Sequence, residues 1–173
     1  MRVGLVSDTH GLYDRQLEEL FRGCDLILHA GDIVKREVLD RLAALAPLRA
    51  VRGNNDAGLA FDDLPEVAEL ALGELPAVLV HQIGARGRLL PPVRKAVARS
   101  GARLLVYGHS HRPTAVRDDG LLYVNPGAAG PRRFSLPRAA GLLLVDRRRV
   151  EVRLVDLARP GFPLLQPPLV AEL

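Results

Sequence analysis

Five short strings hold nearly all the residues of this chain that could do chemistry. They are Asp8-Thr9-His10, Gly31-Asp32, Gly53-Asn54-Asn55-Asp56, His81 and Gly108-His109-Ser110-His111. Asp-x-His and His-x-His set two donors two residues apart, so both can reach one region from an extended segment. Four of the five histidines lie in these strings. The single cysteine, Cys24, excludes an internal disulfide framework and any cysteine-rich zinc or iron–sulfur site. A metal would therefore be held by His, Asp, Glu or Asn. Carboxylate and imidazole together favour Mn, Fe, Zn, Ni or Co over Ca or Mg. Gly31, Gly53 and Gly108 each precede a candidate ligand, where the backbone must turn sharply and come close to the site.

The elements that must position these strings follow from hydrophobic periodicity. In the first half, strands over Arg2–Ser7, Leu26–His29 and Leu48–Val51 alternate with helices over Tyr13–Gly23 and Lys35–Leu45. This β-α-β-α-β order predicts parallel strands with right-handed crossovers. The second half is richer in strands. A hairpin spans Glu66–Leu72 and Leu75–His81, a helix Pro92–Ser100, and a strand Leu104–Tyr107. Two more hairpins pair Thr114–Arg117 with Leu121–Val124, and Gly141–Asp146 with Val150–Asp156. The five strings thus fall at successive strand ends, where ligands bind in open α/β sheets.

Composition bounds the rest. The chain has 173 residues, 48% hydrophobic and 25% charged, the balance of a folded domain rather than a disordered one. Aromatics at 4% imply an aliphatic core and argue against a base-stacking platform for single-stranded nucleic acid. The net charge of +4 comes from arginines interleaved with acids, including Arg132-Arg133 and Arg147-Arg148-Arg149, without a dedicated nucleic-acid stripe. The longest apolar run, Ala139–Val145, is far below the ~20 residues that span a bilayer. With no signal-like opening, the chain reads as cytoplasmic and away from membranes. Residues 1–158 read as the domain and residues 159–173 as an extended Pro/Leu-rich tail. That tail would either pack on its own domain or reach a neighbouring subunit in a homo-oligomer.

In order, spacing and identity, the five strings resemble the calcineurin-like metallophosphoesterase superfamily, whose pattern is D-x-H, G-D, G-N-H-[DE], H and G-H-x-H. Tyr123-Val124-Asn125-Pro126-Gly127 looks like the strand and turn that follow in its compact prokaryotic phosphodiesterase branch, so the resemblance covers residues 1 to 156. It implies an α/β fold of two packed mixed sheets flanked by helices, in four layers α-β-β-α. It implies two divalent metals per chain, Mn foremost, with Fe, Ni, Co or Zn as alternatives. Asp8, His10 and His111 would hold one metal, Asn54, His81 and His109 the other, and Asp32 would bridge them. A hydroxide between the metals would attack a small phosphate ester, with Asn54 stabilising the developing charge. The implied activity is that of a phosphodiesterase. The alternatives are a phosphomonoesterase, a nucleotide pyrophosphatase, a nuclease or a non-catalytic scaffold such as the retromer sorting subunit. A nuclease would need an added binding region, and a scaffold tends to lose the ligands present here.

Two departures from the pattern matter. Asn55 stands where the family commonly supplies a His to protonate the leaving group, which favours esters with acidic leaving groups. Asp56 would orient Asn55 or a water, or else cap local N–H groups. Gln82 follows His81 where the family often has Gly, and would either narrow or reshape the substrate groove or point to solvent. Arg112, next to His111, would either contact phosphate through its planar fork or be a plain surface residue. His29 reads as a support that orients a ligand carboxylate rather than as a ligand.

Overall fold

The computed structural model of the chain describes residues 1–86, 88–133 and 135–173. In chain order the elements are β1 (Arg2–Val6), α1 (Gln16–Leu20), β2 (Leu26–His29), α2 (Arg36–Ala43), β3 (Leu48–Ala50), β4 (Val67–Leu72) and β5 (Leu75–Val80). There follow β6 (Gly84–Ala85), β7 (Arg88–Leu89), α3 (Pro91–Ser100), β8 (Leu104–Val106), β9 (Thr114–Asp118), β10 (Leu121–Asn125), β11 (Ala139–Asp146), β12 (Arg149–Asp156) and β13 (Leu169–Glu172).

One mixed sheet runs β13-β12-β11-β1-β2-β3 and the other β4-β5-β8-β10-β9. The first three strands are parallel, as the β-α-β-α-β order requires. In the second sheet, β5, β8 and β10 are parallel, with antiparallel β4 and β9 on the edges. Alternation along the strands builds the layers. Val3, Leu5 and Leu28 of the first sheet meet Ala77, Leu79, Leu104 and Val124 of the second in one shared core. The opposite face of the first sheet, through Val6, Ile27 and Leu142, packs on Leu17 and Leu20 of α1 and on Val38, Leu39 and Leu42 of α2. Val78, Val80 and Leu105 pack in turn on Val93 and Ala96 of α3. The order of layers is helix, sheet, sheet, helix, as the resemblance implies.

Three local differences have physical reasons. The first helix keeps only Gln16–Leu20 of the expected Tyr13–Gly23. Asp14 is drawn out of the helix, where its carboxylate accepts the Gln16 N–H (2.9 Å) and the Arg138 guanidinium (2.6 Å). A short β6–β7 hairpin interrupts what reads as loop. The tail is partly regular: β13 pairs antiparallel with β12, Leu169 opposite Val152 and Glu172 opposite Arg149. No helix among the described residues is long and apolar enough to cross a membrane.

Candidate metal centre

The carboxyl ends of β1, β2 and β3, and those of β5 and β8, open toward a common edge of the two sheets. Main-chain bonds between the loops beyond them fix their spacing. Asp8 N–H donates to Gly31 O (2.9 Å), His10 N–H to Asp32 O (3.0 Å), and Gly108 N–H to His81 O (3.0 Å). Two glycines allow this closeness. A Cβ on Gly53 would collide with Asp32 Oδ1, and one on Gly108 would collide with Ser7 Oγ. The loops are also strained. Asp8, His10, Asp32, His109 and His111 all have positive φ, between 45° and 66°. Non-glycine residues in this region are costly and concentrate at functional sites.

The strings converge on two adjoining clusters. In the first, His10 Nε2 lies 3.3 Å from His111 Nε2, and His111 Nε2 lies 3.2 Å from Asp8 Oδ1. In the second, Asn54 Oδ1 lies 3.1 Å from both His81 Nε2 and His109 Nδ1. Asp32 stands between them, Oδ2 at 3.8 Å from His10 Nε2 and Oδ1 at 3.3 Å from His81 Nε2. Donor atoms of Asp8, His10 and His111, and of Asp8, Asp32 and His81, lie close enough together to hold a cation.

Two observations test whether these residues suit a metal. Ala30 O can only accept, so His81 donates to it from Nδ1 (2.7 Å). That leaves Nε2 turned toward Asp32 and Asn54, the arrangement of a metal-binding histidine oriented by a backbone carbonyl. Asp8 Oδ1 is buried and accepts no hydrogen bond among the described residues, since His111 approaches without hydrogen-bond geometry. An unsatisfied buried acceptor costs about 1–3 kcal/mol, more when charged, and a cation offsets that cost. The nitrogen and oxygen donors fit a transition-metal dication.

Without a cation, Asp32 and His81 pair as a carboxylate and a protonated ring; a metal bound at His81 Nε2 would displace that proton. Burial pushes the Asp32 carboxyl up, but donation from His81 and from the backbone and side chain of Asn55 outweighs it and holds Asp32 well below the usual carboxylate range. For His81, burial lowers the pKa, yet the bonds to Asp32 and Ala30 and the charge of Asp8 raise it overall. His10 is lowered by burial and then by the neighbouring Arg133.

Around the ligand candidates stands a set of positioning residues. His29 is fully buried. Its Nδ1 accepts the Gly31 N–H (3.1 Å), so the proton sits on Nε2, which donates to Thr9 Oγ1 (3.1 Å). It thereby ties the Asp8–His10 loop to the Gly31–Asp32 loop. Asn55 donates to Asp32 from both its N–H (2.9 Å) and Nδ2 (2.6 Å). Of the two roles read above for Asp56, orienting Asn55 or a water and capping local N–H groups, the structure shows the second. The Asp56 oxygens accept the N–H groups of Ile33 (2.7 Å), Val34 (2.7 Å) and Gly53 (2.8 Å), so it caps and joins two loops. Gln82 Nε2 donates to Asn54 Oδ1 (3.0 Å), covering the second cluster. Arg112 is exposed beside His111, and its N–H reaches Ser110 Oγ (3.4 Å).

Sequence reasoning missed two supports. Asn125 is buried and donates to Gly108 O (2.7 Å) and Ser110 Oγ (3.1 Å), holding the His109–His111 loop. Arg138 binds Gly130 O, Ala129 O and Asp14, and Gly130 N–H donates in turn to Asp8 O (3.1 Å). The first lay inside the motif quoted above without a role. The second carries no local signal, because its partners are main-chain oxygens and an acid 124 positions away.

Residues 1–148 match the family model of the calcineurin-like phosphoesterase superfamily domain. The chain belongs to the calcineurin-like phosphoesterase superfamily. Within this superfamily it is 32% identical over 164 residues to a probable metallophosphoesterase of Methanocaldococcus jannaschii, covering 91% of this chain and 82% of that protein. A phosphodiesterase of the same organism is 24% identical over 173 residues, covering 91% and 99%. Among solved structures, Vps29 of Entamoeba histolytica complexed with zinc shares the fold, with a TM-score of 0.77 at 20% identity over 99% of both chains. The family resemblance read from the five strings is borne out.

Proposed function

We propose that this calcineurin-like phosphoesterase is a phosphodiesterase working with two divalent cations, Mn foremost. Asp8, His10 and His111 would hold one cation, Asn54, His81 and His109 the other, with Asp32 shared. The observation that carries this reading is the place of Asp32, whose two oxygens face a histidine of each cluster. When bound, such a pair of cations supplies Lewis acidity and water acidified to near-neutral pH. The chain supplies the rest. Asn55, donating to both oxygens of Asp32, helps to keep its carboxyl ionised. Asn54, with its oxygen turned to the imidazoles, has its Nδ2 to donate to a phosphoryl oxygen. Arg112 contacts a second phosphoryl oxygen from the open side. Asn55 does not titrate, so the leaving alkoxide departs with little help from a side-chain acid.

The name of the Methanocaldococcus phosphodiesterase, similar over nearly its whole length, supports a diester over a monoester. A buried free cysteine suits the reducing cytoplasm. The test is metal-stripped protein reloaded in turn with Mn, Fe, Ni, Co and Zn, then assayed on bis(p-nitrophenyl) phosphate and p-nitrophenyl phosphate. Turnover of the diester above the monoester is expected. Preference for the monoester would make the protein a phosphomonoesterase. No turnover with any metal would leave a protein-interaction scaffold on the same fold.

A further inference from the structure

Beside the Asn54–His81 edge of the centre lies a groove of about 250 Å³ that none of the roles above uses. Its walls are apolar: Val67 of β4, Val80 of β5, and Leu90, Pro92 and Val93 where α3 begins. Val80 and Val93 are buried in the layer under α3, which makes the floor rigid. Leu90 is 41% exposed, an uncovered leucine facing the groove from the solvent side. Arg52 and Glu66 stand at the rim, paired with each other at 2.8 Å and open to water, so neither brings an uncompensated charge inside. Gln82 also lines the groove, but its amide nitrogen is turned to Asn54 and His109. The groove is continuous with the centre, because Asn54 and His81 line both.

An ester oxygen bound at the centre sends its organic group outward, and the groove is the apolar opening next to it. Its volume falls just below the ~300–1,000 Å³ of pockets for drug-sized ligands, so it suits one ring system rather than an oligomer. We propose that this groove is the subsite for an uncharged, aryl-sized ring carried on one ester oxygen of the diester. The proposal rests on the phosphodiesterase reading and names its substrate class: diesters with one flat apolar substituent.

The test compares p-nitrophenyl phenyl phosphate with p-nitrophenyl methyl phosphate on the Mn-loaded protein, alongside calorimetric binding of phenylphosphonate and methylphosphonate. Wild type should favour the phenyl ester in kcat/KM by at least about tenfold, the scale of a filled apolar pocket. It should also bind phenylphosphonate more tightly than methylphosphonate. Leu90→Asp, which sets a charge in the wall, and Val67→Phe, which fills the groove from a half-buried position, should each collapse the phenyl-to-methyl ratio. Equal treatment of the two esters by wild type, or a ratio intact in both variants, overturns the subsite. If neither ester is hydrolysed, the phosphodiesterase reading fails and calorimetry decides the groove alone. Tighter phenylphosphonate binding that is lost in both variants then upholds it, and equal binding overturns it.

Discussion

His29 stands, fully buried, behind the candidate ligands. Both ring nitrogens are committed, one accepting from Gly31 and one donating to Thr9. Burial, against weaker opposing pulls from Asp56 and Asp8, pushes its pKa from 6.5 down to about 4. The unfolded chain takes up this proton as pH falls below 6.5, whereas the folded chain resists until about 4. Stability from the neutral ring is therefore complete above the unfolded value and is lost as pH falls through the folded one, a loss of roughly 3 kcal/mol. Urea unfolding at pH 7 and pH 4.5 should show a shallower pH dependence in His29→Gln than in wild type; equal slopes would remove His29 as the source. Asn55 sets a second expectation. With its amide spent on Asp32 and no proton to give, rates on aryl diesters should fall as the leaving-group pKa rises. A flat dependence across such a series would require another proton donor. The candidate ligands were legible in the sequence because metal chemistry restricts them to a few residue types at set spacings. Asp56 was not, since a carboxylate that caps N–H groups and one that does chemistry look alike until the partners are seen.

The strand-end loops work only if the two sheets bring them within contact. Gly108 is the tightest crossing, where a Cβ would strike Ser7 and come within 2.9 Å of Asp8 Oδ2. Gly108→Ala should push the His109–His111 loop, held from behind by Asn125, away from the end of β1. Because that loop serves both clusters, Mn affinity should drop by about 10–100-fold, the usual cost of disturbing ligand support, with the far-ultraviolet spectrum unchanged. Wild-type affinity in a titration would mean that the crossing at Gly108 does not set the position of the loop. The strands themselves were legible to within a residue or two, as bounded apolar runs with strong periodicity. The β6–β7 hairpin, the bounds of α1 and β13 were not. Just before α1, Asp14 binds Arg138, a contact across the whole chain that no local pattern announces. The edge strand β13 hides in a Pro-rich tail, and only the free edge of β12 makes it a strand.

At the scale of the whole molecule, the four layers bury an aliphatic core on both sides of each sheet and leave the polar loops at one rim. The tail completes the first sheet: Ala171 and the partly buried Leu169 and Leu173 pack against the inter-sheet core. Truncation after Gln166 should cost roughly 2 kcal/mol, the scale of burying one or two aliphatic side chains. For a chain of this size that is about 4–8 °C in Tm. With β13 seated on its own β12, light scattering should give the same mass before and after truncation; a fall in mass would restore the idea of an arm to a neighbour. The mild positive charge explains little here, since bound cations would dominate the field at the rim. In the proposed centre one shared carboxylate, Asp32, makes two cations act together. Diester turnover in metal-stripped protein, followed as Mn is added stepwise in wild type and in Asp32→Asn, tests this coupling. Activity in wild type should rise to a plateau only as the second equivalent binds, and Asp32→Asn should stay near baseline throughout. Full activity at one equivalent, or near-wild-type turnover in Asp32→Asn, would contradict it.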